Sequence, residues 1–109
     1  MAYVFQNEHR IFFVMDFIEG GELFRHLVAV RRFEENQAKF MIAQVAIALN
    51  HLHQNNIIYR DLKPENVLFG KDGYLKLTDF GLSKRTDINE LNKTFVGTAS
   101  YLAPEIIQQ

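Results

Sequence analysis

The 109-residue sequence contains no cysteine, which excludes disulfide bonds and thiolate metal sites. It has no apolar run of membrane length, and its N-terminus lacks a basic region followed by an apolar core, so we expect neither a membrane span nor a secretory signal. The formal net charge of −1 gives no general attraction to nucleic acid. We therefore expect a cytoplasmic protein, or a nuclear one, that does not bind nucleic acid.

Repeats, low-complexity tracts and Pro/Gly/Ser-rich linkers are also missing, so we expect one domain without an internal boundary. The four histidines do not fall at metal-ligand spacing. Ten phenylalanines are an unusually high number for a chain of this length. Either they build a dense core, or some of the rings pack against partners outside this sequence.

The first half of the sequence predicts a hairpin and two helices. Strands are expected over Tyr3–Gln6 and Ile11–Asp16, around a polar turn. After two glycines, a short helix is expected over about Glu22–Ala29. Apolar residues then recur at helical spacing over Ala38–Leu52, which predicts a long helix whose apolar stripe packs into the core. Glu34 and Glu35 lie where acids complement the N-terminal helix dipole, and Asn55-Asn56 is expected to end the helix.

The second half of the sequence predicts short strands and a long loop. Strands are expected over Ile57–Tyr59, Val67–Phe69 and Leu75–Thr78, and a Lys-Asp-Gly turn joins the last two as a hairpin. Residues Gly81–Ser100 are polar and without a sustained period, and long loops of this kind are usually functional or disordered. The fold class is therefore α+β.

Three polar residues that suit phosphate chemistry lie on the loop between two of these strands. Asp61 could accept a hydroxyl proton, Lys63 could neutralise a phosphate, and the amide oxygen of Asn66 could bind a hard cation. Asp79 follows the next strand and offers a second oxygen ligand. Taken singly, the aspartates could be turn formers and the lysine a solvated charge. Their combination favours a site.

The segments Tyr59–Asn66, Asp79–Gly81 and Ala103–Glu105 follow one another in the order of the protein kinase motifs, and the chain resembles that family. The resemblance implies a protein-kinase-like fold, with ATP and Mg²⁺ as cofactors. It assigns Asp61 as the catalytic base, Lys63 to the γ-phosphate, and Asn66 with Asp79 as the magnesium ligands.

Two independent features resemble the Ser/Thr kinases. Lys63 stands two residues after the base, and Thr98 matches the threonine that hydrogen-bonds the base and the lysine in those enzymes. The segment Thr94–Glu105 is most similar to the group of cyclic-nucleotide-dependent, ribosomal-S6 and phosphoinositide-dependent kinases, and Tyr59 replaces the more usual histidine in the same way. Ala99-Ser100 departs from the Pro-Glu that is more usual in this group.

The nucleotide site follows from the same resemblance. The segment around Asp16 and Ile18 looks like the hinge between the two kinase lobes, whose backbone would bond to adenine. Leu68 would pack beneath the ring, and Glu22 would reach the ribose hydroxyls. Asp79 completes this set through the metal. Without the resemblance, Leu68 would be interpreted as ordinary core.

The resemblance also bears on protein substrates. Glu22 and Glu65 match acids that flank the peptide groove, so we expect substrates whose Ser or Thr lies near basic residues. Each acid could equally be a solvated surface residue.

A regulatory switch is expected as well. Thr94 stands at the position of regulatory phosphorylation, and Arg60 with Lys84 would receive the phosphate. An upstream kinase would then activate the protein. The alternative is an ordinary loop threonine.

The resemblance covers the whole chain but only the middle of a kinase domain. Residues 1–21 match the end of the small lobe and the hinge, and residues 22–109 match large-lobe helices, the catalytic loop and the activation segment. We find no glycine-rich loop and no strand lysine here, so we expect negligible activity from this chain alone. It is either a segment of a complete kinase or a non-catalytic remnant that binds partners through exposed apolar surface.

Overall fold

The computed structural model describes residues 2–86 and 96–108. The chain begins with an antiparallel hairpin of β1 (Tyr3–Gln6) and β2 (Ile11–Val14). In the turn, the side-chain oxygen of Asn7 accepts hydrogen bonds from the backbone N–H groups of His9 and Arg10, at 2.9 and 2.8 Å. Such short-range bonds are the reason that asparagine favours turns.

Two helices follow, α1 (Leu23–Val30) and α2 (Glu35–Gln54). Glu34 caps α2 in a capping box, in which its backbone N–H donates to the side chain of Gln37 at 3.2 Å. The helix ends before Asn55, whose backbone N–H bonds back to the last turn. The structure confirms the predicted long helix, which begins at Glu35 and ends at Gln54, where the sequence predicts its start and its end.

The remaining elements are short. They are β3 (Ile57–Ile58), β4 (Val67–Phe69), β5 (Leu75–Leu77), β6 (Lys84–Arg85), α3 (Pro104–Ile107) and the 3₁₀ turns Pro64–Asn66 and Ala99–Tyr101. β4 and β5 form an antiparallel hairpin, and β3 pairs with β6. The mixture of helices and small antiparallel sheets confirms the α+β class.

The predicted absence of regular structure from Gly81 to Ser100 is wrong at two places within the described residues. β6 forms because its two residues pair with Ile57 and Ile58, and a pairing this short carries no readable period. A 3₁₀ turn also begins at Ala99. Residues 87–95 lie outside the described part of the chain.

Three strands were also predicted to extend further than they do in the structure. β2 ends at Val14, the last residue paired with β1. β3 ends before Tyr59, and β5 ends before Thr78, which bonds instead to the backbone of Asn66. In each case the strand stops where its partner stops, which is information that one segment alone does not carry.

The described apolar residues are mostly not buried. The buried ones are Met41, Tyr59 and Val67. The expectation that the whole α2 stripe is core is wrong for Ile42, which is 68% exposed. Seven phenylalanines are exposed: Phe5, Phe12, Phe13, Phe17, Phe24, Phe40 and Phe80. Among the described residues, therefore, the phenylalanines do not build a dense core.

Backbone pairing joins the segment after β2 to β4. The N–H of Gly20 donates to the carbonyl of Phe69 at 3.0 Å, and the N–H of Phe69 donates to the carbonyl of Gly21 at 2.9 Å. One residue further, Glu22 and Leu68 form an antiparallel bridge. The start of α1 is thereby placed beside β4. Among residues 2–86 and 96–108, no helix combines the length and apolar character that crossing a membrane requires.

Candidate active site

The predicted catalytic aspartate is buried at the centre of a polar cluster. Asp61 and Asn66 are each 6% exposed and lie in the loop between β3 and β4. The side-chain N–H₂ of Asn66 donates to the backbone carbonyl of Asp61 and to its Oδ2, both at 2.9 Å. These two bonds use the N–H₂ group of Asn66 and fix the carboxylate relative to the loop, so the amide oxygen, which only accepts, takes no part in them.

Lys63, on the same loop, and Thr98, 35 residues further along the chain, complete this cluster. The Nζ of Lys63 lies 2.9 Å from Oδ2 of Asp61 and donates to the hydroxyl of Thr98 at 3.0 Å. That hydroxyl donates in turn to Oδ1 of Asp61 at 2.7 Å. The contact of Thr98 with both the base and the lysine is the one that the resemblance implied.

These contacts set the charge of the cluster. Burial alone would raise the pKa of Asp61, but hydrogen bonds from Thr98, Lys63 and Asn66 outweigh it and lower that pKa below its ordinary value. The hydrogen bond to Asp61 raises the pKa of Lys63. Both groups are therefore charged at neutral pH, and Asp61 acts as a hydrogen-bond acceptor.

The predicted magnesium ligands are held at the same end of the β4–β5 hairpin. The backbone N–H and the hydroxyl of Thr78 donate to the carbonyl of Asn66, at 2.9 and 3.2 Å. Asp79 follows at once with a left-handed φ of 55°, and its Oδ1 accepts a hydrogen bond from the N–H of Gly81 at 3.1 Å. Asp79 itself is exposed.

This donor set fits Mg²⁺. Amide and carboxylate oxygens are ligands that Mg²⁺ accepts, and it often uses only one or two protein groups together with substrate phosphates. The described residues contain no group of three or more His, Asp or Glu that could hold a metal ion by itself. Asn66 and Asp79 would therefore hold the ion together with the nucleotide.

Tyr59 connects the catalytic loop to Asp79. It is 2% exposed; its hydroxyl donates to the carbonyl of Thr78, and its ring meets Phe80 edge-on at 5.3 Å. Asp79 is thus fixed by the residues on both sides of it. Burial, with the nearby charges of Asp61 and Asp79, raises the pKa of Tyr59 to about 12, so the hydroxyl stays a donor at neutral pH.

In the sequence, Tyr59 indicates only the kinase group, and its positioning role was not predicted. Its apolar neighbours Ile57 and Ile58 suggested burial, but its hydrogen-bond partner is 19 residues away in sequence. Gly97 was missed as well. It has a φ of 121°, and a Cβ there would lie 2.7 Å from a methyl carbon of Leu102 and 2.9 Å from the carbonyl of Arg60. Only glycine fits beside Thr98.

The predicted nucleotide residues are brought together in part. Leu68 and Glu22, both half-buried, are paired across the bridge between β4 and the start of α1. Asp16, which is exposed, and Ile18, which is half-buried, lie in the irregular segment between β2 and Gly20. Their contacts with adenine stay predictions, as does the lobe division between residues 21 and 22.

The two predicted substrate acids differ in their surroundings. Glu22 has a cationic neighbour of its own, because Arg25 Nε lies 3.7 Å from its Oε2; the Arg25 side chain is 80% exposed. This pair was not predicted, although its i,i+3 spacing at the start of a helix is visible in the sequence. Glu65 is half-buried, and its Oε2 is buried without a hydrogen-bond partner among the described residues.

The predicted phosphate receivers are placed on either side of β3. Arg60 has a left-handed φ of 66°, and its Nε donates to the carbonyl of Leu82 at 2.6 Å. Lys84 lies in β6 opposite Ile58. Thr94 lies outside the described residues, so the regulatory role of all three stays a prediction.

A cavity of about 380 Å³ adjoins the catalytic loop on the side of α2 and α3. Apolar side chains from both helices, including Leu49 and Ile106, form much of its wall. Such a lining suits apolar packing better than phosphate binding.

The comparisons with known proteins define the class. Residues 1–109 match the family model of the protein kinase domain. Together with the Asp61–Lys63–Thr98 cluster, this match places the chain in the protein kinase family, among the serine/threonine kinases.

Several named kinases are similar to the chain. It is 52% identical over 108 residues to serine/threonine-protein kinase sgk-1 of Caenorhabditis elegans, covering 98% of the chain and 23% of that protein. It is 50% identical over 110 residues to Sgk2 of Mus musculus, and 47% identical over 110 residues to ribosomal protein S6 kinase alpha-2 of the same organism. These cover all of the chain but 30% and 15% of the relatives. The group that the sequence resembled is thereby confirmed.

Proposed function

We propose that the protein to which this chain belongs transfers the γ-phosphate of ATP to serine or threonine hydroxyls of protein substrates. The observation that carries the proposal is the triangle of Asp61, Lys63 and Thr98, with contacts of 2.7 to 3.0 Å. It presents an ionised carboxylate beside an ammonium group, a pairing that suits phosphoryl transfer to a hydroxyl, because one group accepts the proton and the other stabilises the phosphate charge.

In this reaction the substrate hydroxyl donates to Asp61, which orients it and accepts its proton. The hydroxyl oxygen forms a bond to the γ-phosphorus while the bond from that phosphorus to the bridging oxygen of ADP breaks. The ammonium of Lys63 stabilises the negative charge on the transferred group. Asn66 and Asp79 would hold Mg²⁺, which supplies further positive charge beside the phosphates when bound.

Basic residues near the target hydroxyl are part of the proposal. The negative charge of Glu65 supports it, because this half-buried residue lies in the catalytic loop and its Oε2 has no hydrogen-bond donor among the described residues. A basic substrate side chain near the loop would be attracted to that charge. Glu22 is the weaker attractor, since Arg25 already supplies a positive charge beside it. A peptide array that favours acidic or proline-directed sites would refute this preference.

The catalytic proposal is tested with Asp79→Asn in the full-length protein, assayed by Mg²⁺-dependent phosphorylation of a basic peptide. We expect a loss of roughly 100-fold or more, since a charge that holds the metal is removed. Asp72→Asn is the matched control: Asp72 also accepts a bond from a backbone N–H two residues on, at 3.1 Å, but lies in the β4–β5 turn. Near-normal turnover in Asp79→Asn would contradict the proposal.

The exposed apolar hairpin supports a second candidate, a non-catalytic interaction module. Tyr3, Phe5 and Phe13 are each more than half exposed, and large apolar patches often mark partner surfaces. If the full-length protein binds partners but shows no phosphotransfer with Mg²⁺ and ATP, this candidate is favoured. Residues 1–109 alone are expected to show negligible activity, and clear phosphorylation by them would contradict that expectation.

Regulation and location complete the proposal. An upstream kinase would phosphorylate Thr94, and the added charge of about −2 would be received by Arg60 and Lys84. The protein would act in the cytoplasm or the nucleus. Mass spectrometry of the active protein tests the first point, since an unmodified Thr94 in fully active material would contradict it.

A further inference from the structure

The side chain of His26 ties α1 to the segment that carries the predicted nucleotide contacts. Its Nε2 lies 2.7 Å from the carbonyl oxygen of Gly20, six residues earlier in the chain. A carbonyl only accepts, so Nε2 must carry the proton and donate. The imidazole ring also meets Phe69 edge-on, with the ring centroids 4.8 Å apart.

The same two residues are already joined through their backbones. Gly20 donates its N–H to the carbonyl of Phe69, and a Cβ on Gly20 would collide with that carbonyl. His26 therefore contacts both members of a close backbone pair, one by a hydrogen bond and one by its ring. Although the side chain is exposed, its two contacts hold three elements together: the post-β2 segment, α1 and β4.

No side-chain cap performs this task at the start of α1. Glu22 is the N-cap residue and makes no side-chain cap hydrogen bond. Its carbonyl accepts instead from the backbone N–H groups of Arg25 and His26, at 3.1 and 3.4 Å. His26 thus bonds to Glu22 through its backbone and to Gly20 through its side chain, and both bonds restrain the orientation of Glu22.

We propose that His26 is a positioning residue for the nucleotide site: it clamps the segment Gly20–Glu22 onto β4 and so sets the place of Glu22 beside Leu68. The inference rests on the proposed function, because the Glu22 carboxylate has to meet the ribose of ATP. His26 itself touches neither ATP nor substrate. Its removal should therefore weaken recognition of the ribose more than it slows the chemical step.

The test uses two nucleotides, ATP and 2′,3′-dideoxy-ATP, in steady-state kinetics of the full-length protein. The wild-type protein should have a lower KM for ATP than for the dideoxy nucleotide, because Glu22 can bond only to a ribose that carries hydroxyls. His26→Phe keeps a ring beside Phe69 but loses the donor, and we expect its KM for ATP to rise roughly 3- to 10-fold, as for the loss of one hydrogen bond. Its KM for the dideoxy nucleotide should change little. The discrimination ratio, defined as the KM for the dideoxy nucleotide divided by the KM for ATP, should therefore fall while kcat stays near wild type.

Two further variants separate positioning from a merely structural role. His26→Gln carries an amide donor on a side chain of similar reach, and it should restore most of the discrimination. Glu22→Gln should lower the ratio by itself, and adding His26→Phe to it should have little further effect, because both act through one contact. Hydrogen exchange at the amides of Gly20 and Phe69 should be faster in His26→Phe and near normal in His26→Gln.

An unchanged ratio in His26→Phe, or additive effects in the double variant, would overturn the inference. If His26→Phe does not fold, His26→Leu gives the same comparison against His26→Gln. Wild-type protein that does not use ATP at all would overturn the proposed function and this inference with it. An active wild type with an unaltered His26→Phe ratio overturns only the role of His26.

Discussion

Replacing Thr98 by valine removes the hydroxyl that links Asp61 and Lys63 while keeping the shape of the side chain. Two contacts are lost, the 2.7 Å bond to Oδ1 of Asp61 and the 3.0 Å bond from Lys63. The ammonium of Lys63 keeps its 2.9 Å contact with Oδ2 of Asp61. Among the described residues, the substitution therefore leaves one oxygen of the carboxylate with its partners and the other without a hydrogen-bond donor.

The size of the effect follows from burial and charge. A hydrogen bond to a charged group contributes about 1.5–3 kcal/mol, and Asp61 is only 6% exposed, so water replaces the lost donor poorly. We expect Thr98→Val to lower the free energy of unfolding at pH 7 by about 2 kcal/mol. Phosphotransfer should fall by roughly 10-fold or more, since the base is less well oriented.

The dependence on pH gives a second, sharper readout. Hydrogen bonds lower the folded-state pKa of Asp61, so its stabilising contribution is present above the unfolded pKa of about 3.9 and is lost as the pH falls through the folded value. Thr98→Val raises that folded pKa towards the ordinary one. The stability difference between wild type and variant should therefore shrink as the pH falls below about 4.

Urea denaturation of the full-length protein, followed by circular dichroism at several pH values, measures both effects. Thr98→Ser is the matched control, because it keeps the hydroxyl and loses only a methyl group. Equal stability of Thr98→Val and wild type at pH 7, or a difference that does not change with pH, would refute the reasoning.

Two other substitutions test the surroundings of the base. Tyr59→Phe keeps the ring beside Phe80 but leaves the carbonyl of Thr78 without its phenol donor. We expect the free energy of unfolding, measured by urea denaturation, to fall by about 1–3 kcal/mol, and turnover to fall because Asp79 is held less firmly. Full stability and turnover would contradict the role given to the hydroxyl. Gly97→Ala places a Cβ 2.7 Å from Leu102 at a φ of 121°, so we expect a loss of stability of about 1–3 kcal/mol and of most phosphotransfer. A Gly97→Ala protein with wild-type turnover would show that the chain there is not fixed.

Much of the site could be predicted because its groups are close together in sequence. Asp61, Lys63 and Asn66 share one loop, and the chemistry of an acid, an ammonium and an amide at that spacing already favours a phosphate site. The long helix was predicted from period and caps, since both signals lie within the segment itself.

What could not be predicted depends on contacts between distant segments. The pairing of β6 with β3 and the bond from Tyr59 to Thr78 each join distant parts of the chain, and the sequence of one part does not indicate its contact with the other. The exposure of Ile42 is of the same kind, because an apolar stripe shows which face avoids water but not what covers it. The Glu22–Arg25 pair is different: its helical spacing was visible and was overlooked.

The pairing of β6 with β3 has a thermodynamic consequence for the base. The bond between Thr98 and Asp61 closes a loop of 37 residues. Because Lys84 and Arg85 pair with β3, and Thr86 donates to the carbonyl of Asn56 at 2.9 Å, the loop that must still close is only about 17 residues long, about 5 before Asp61 and about 12 before Thr98. Shortening the loop in this way reduces the entropic cost of closing it by about 0.7 kcal/mol. A two-residue strand that touches no substrate thus makes the hydroxyl of Thr98 several-fold more available to Asp61.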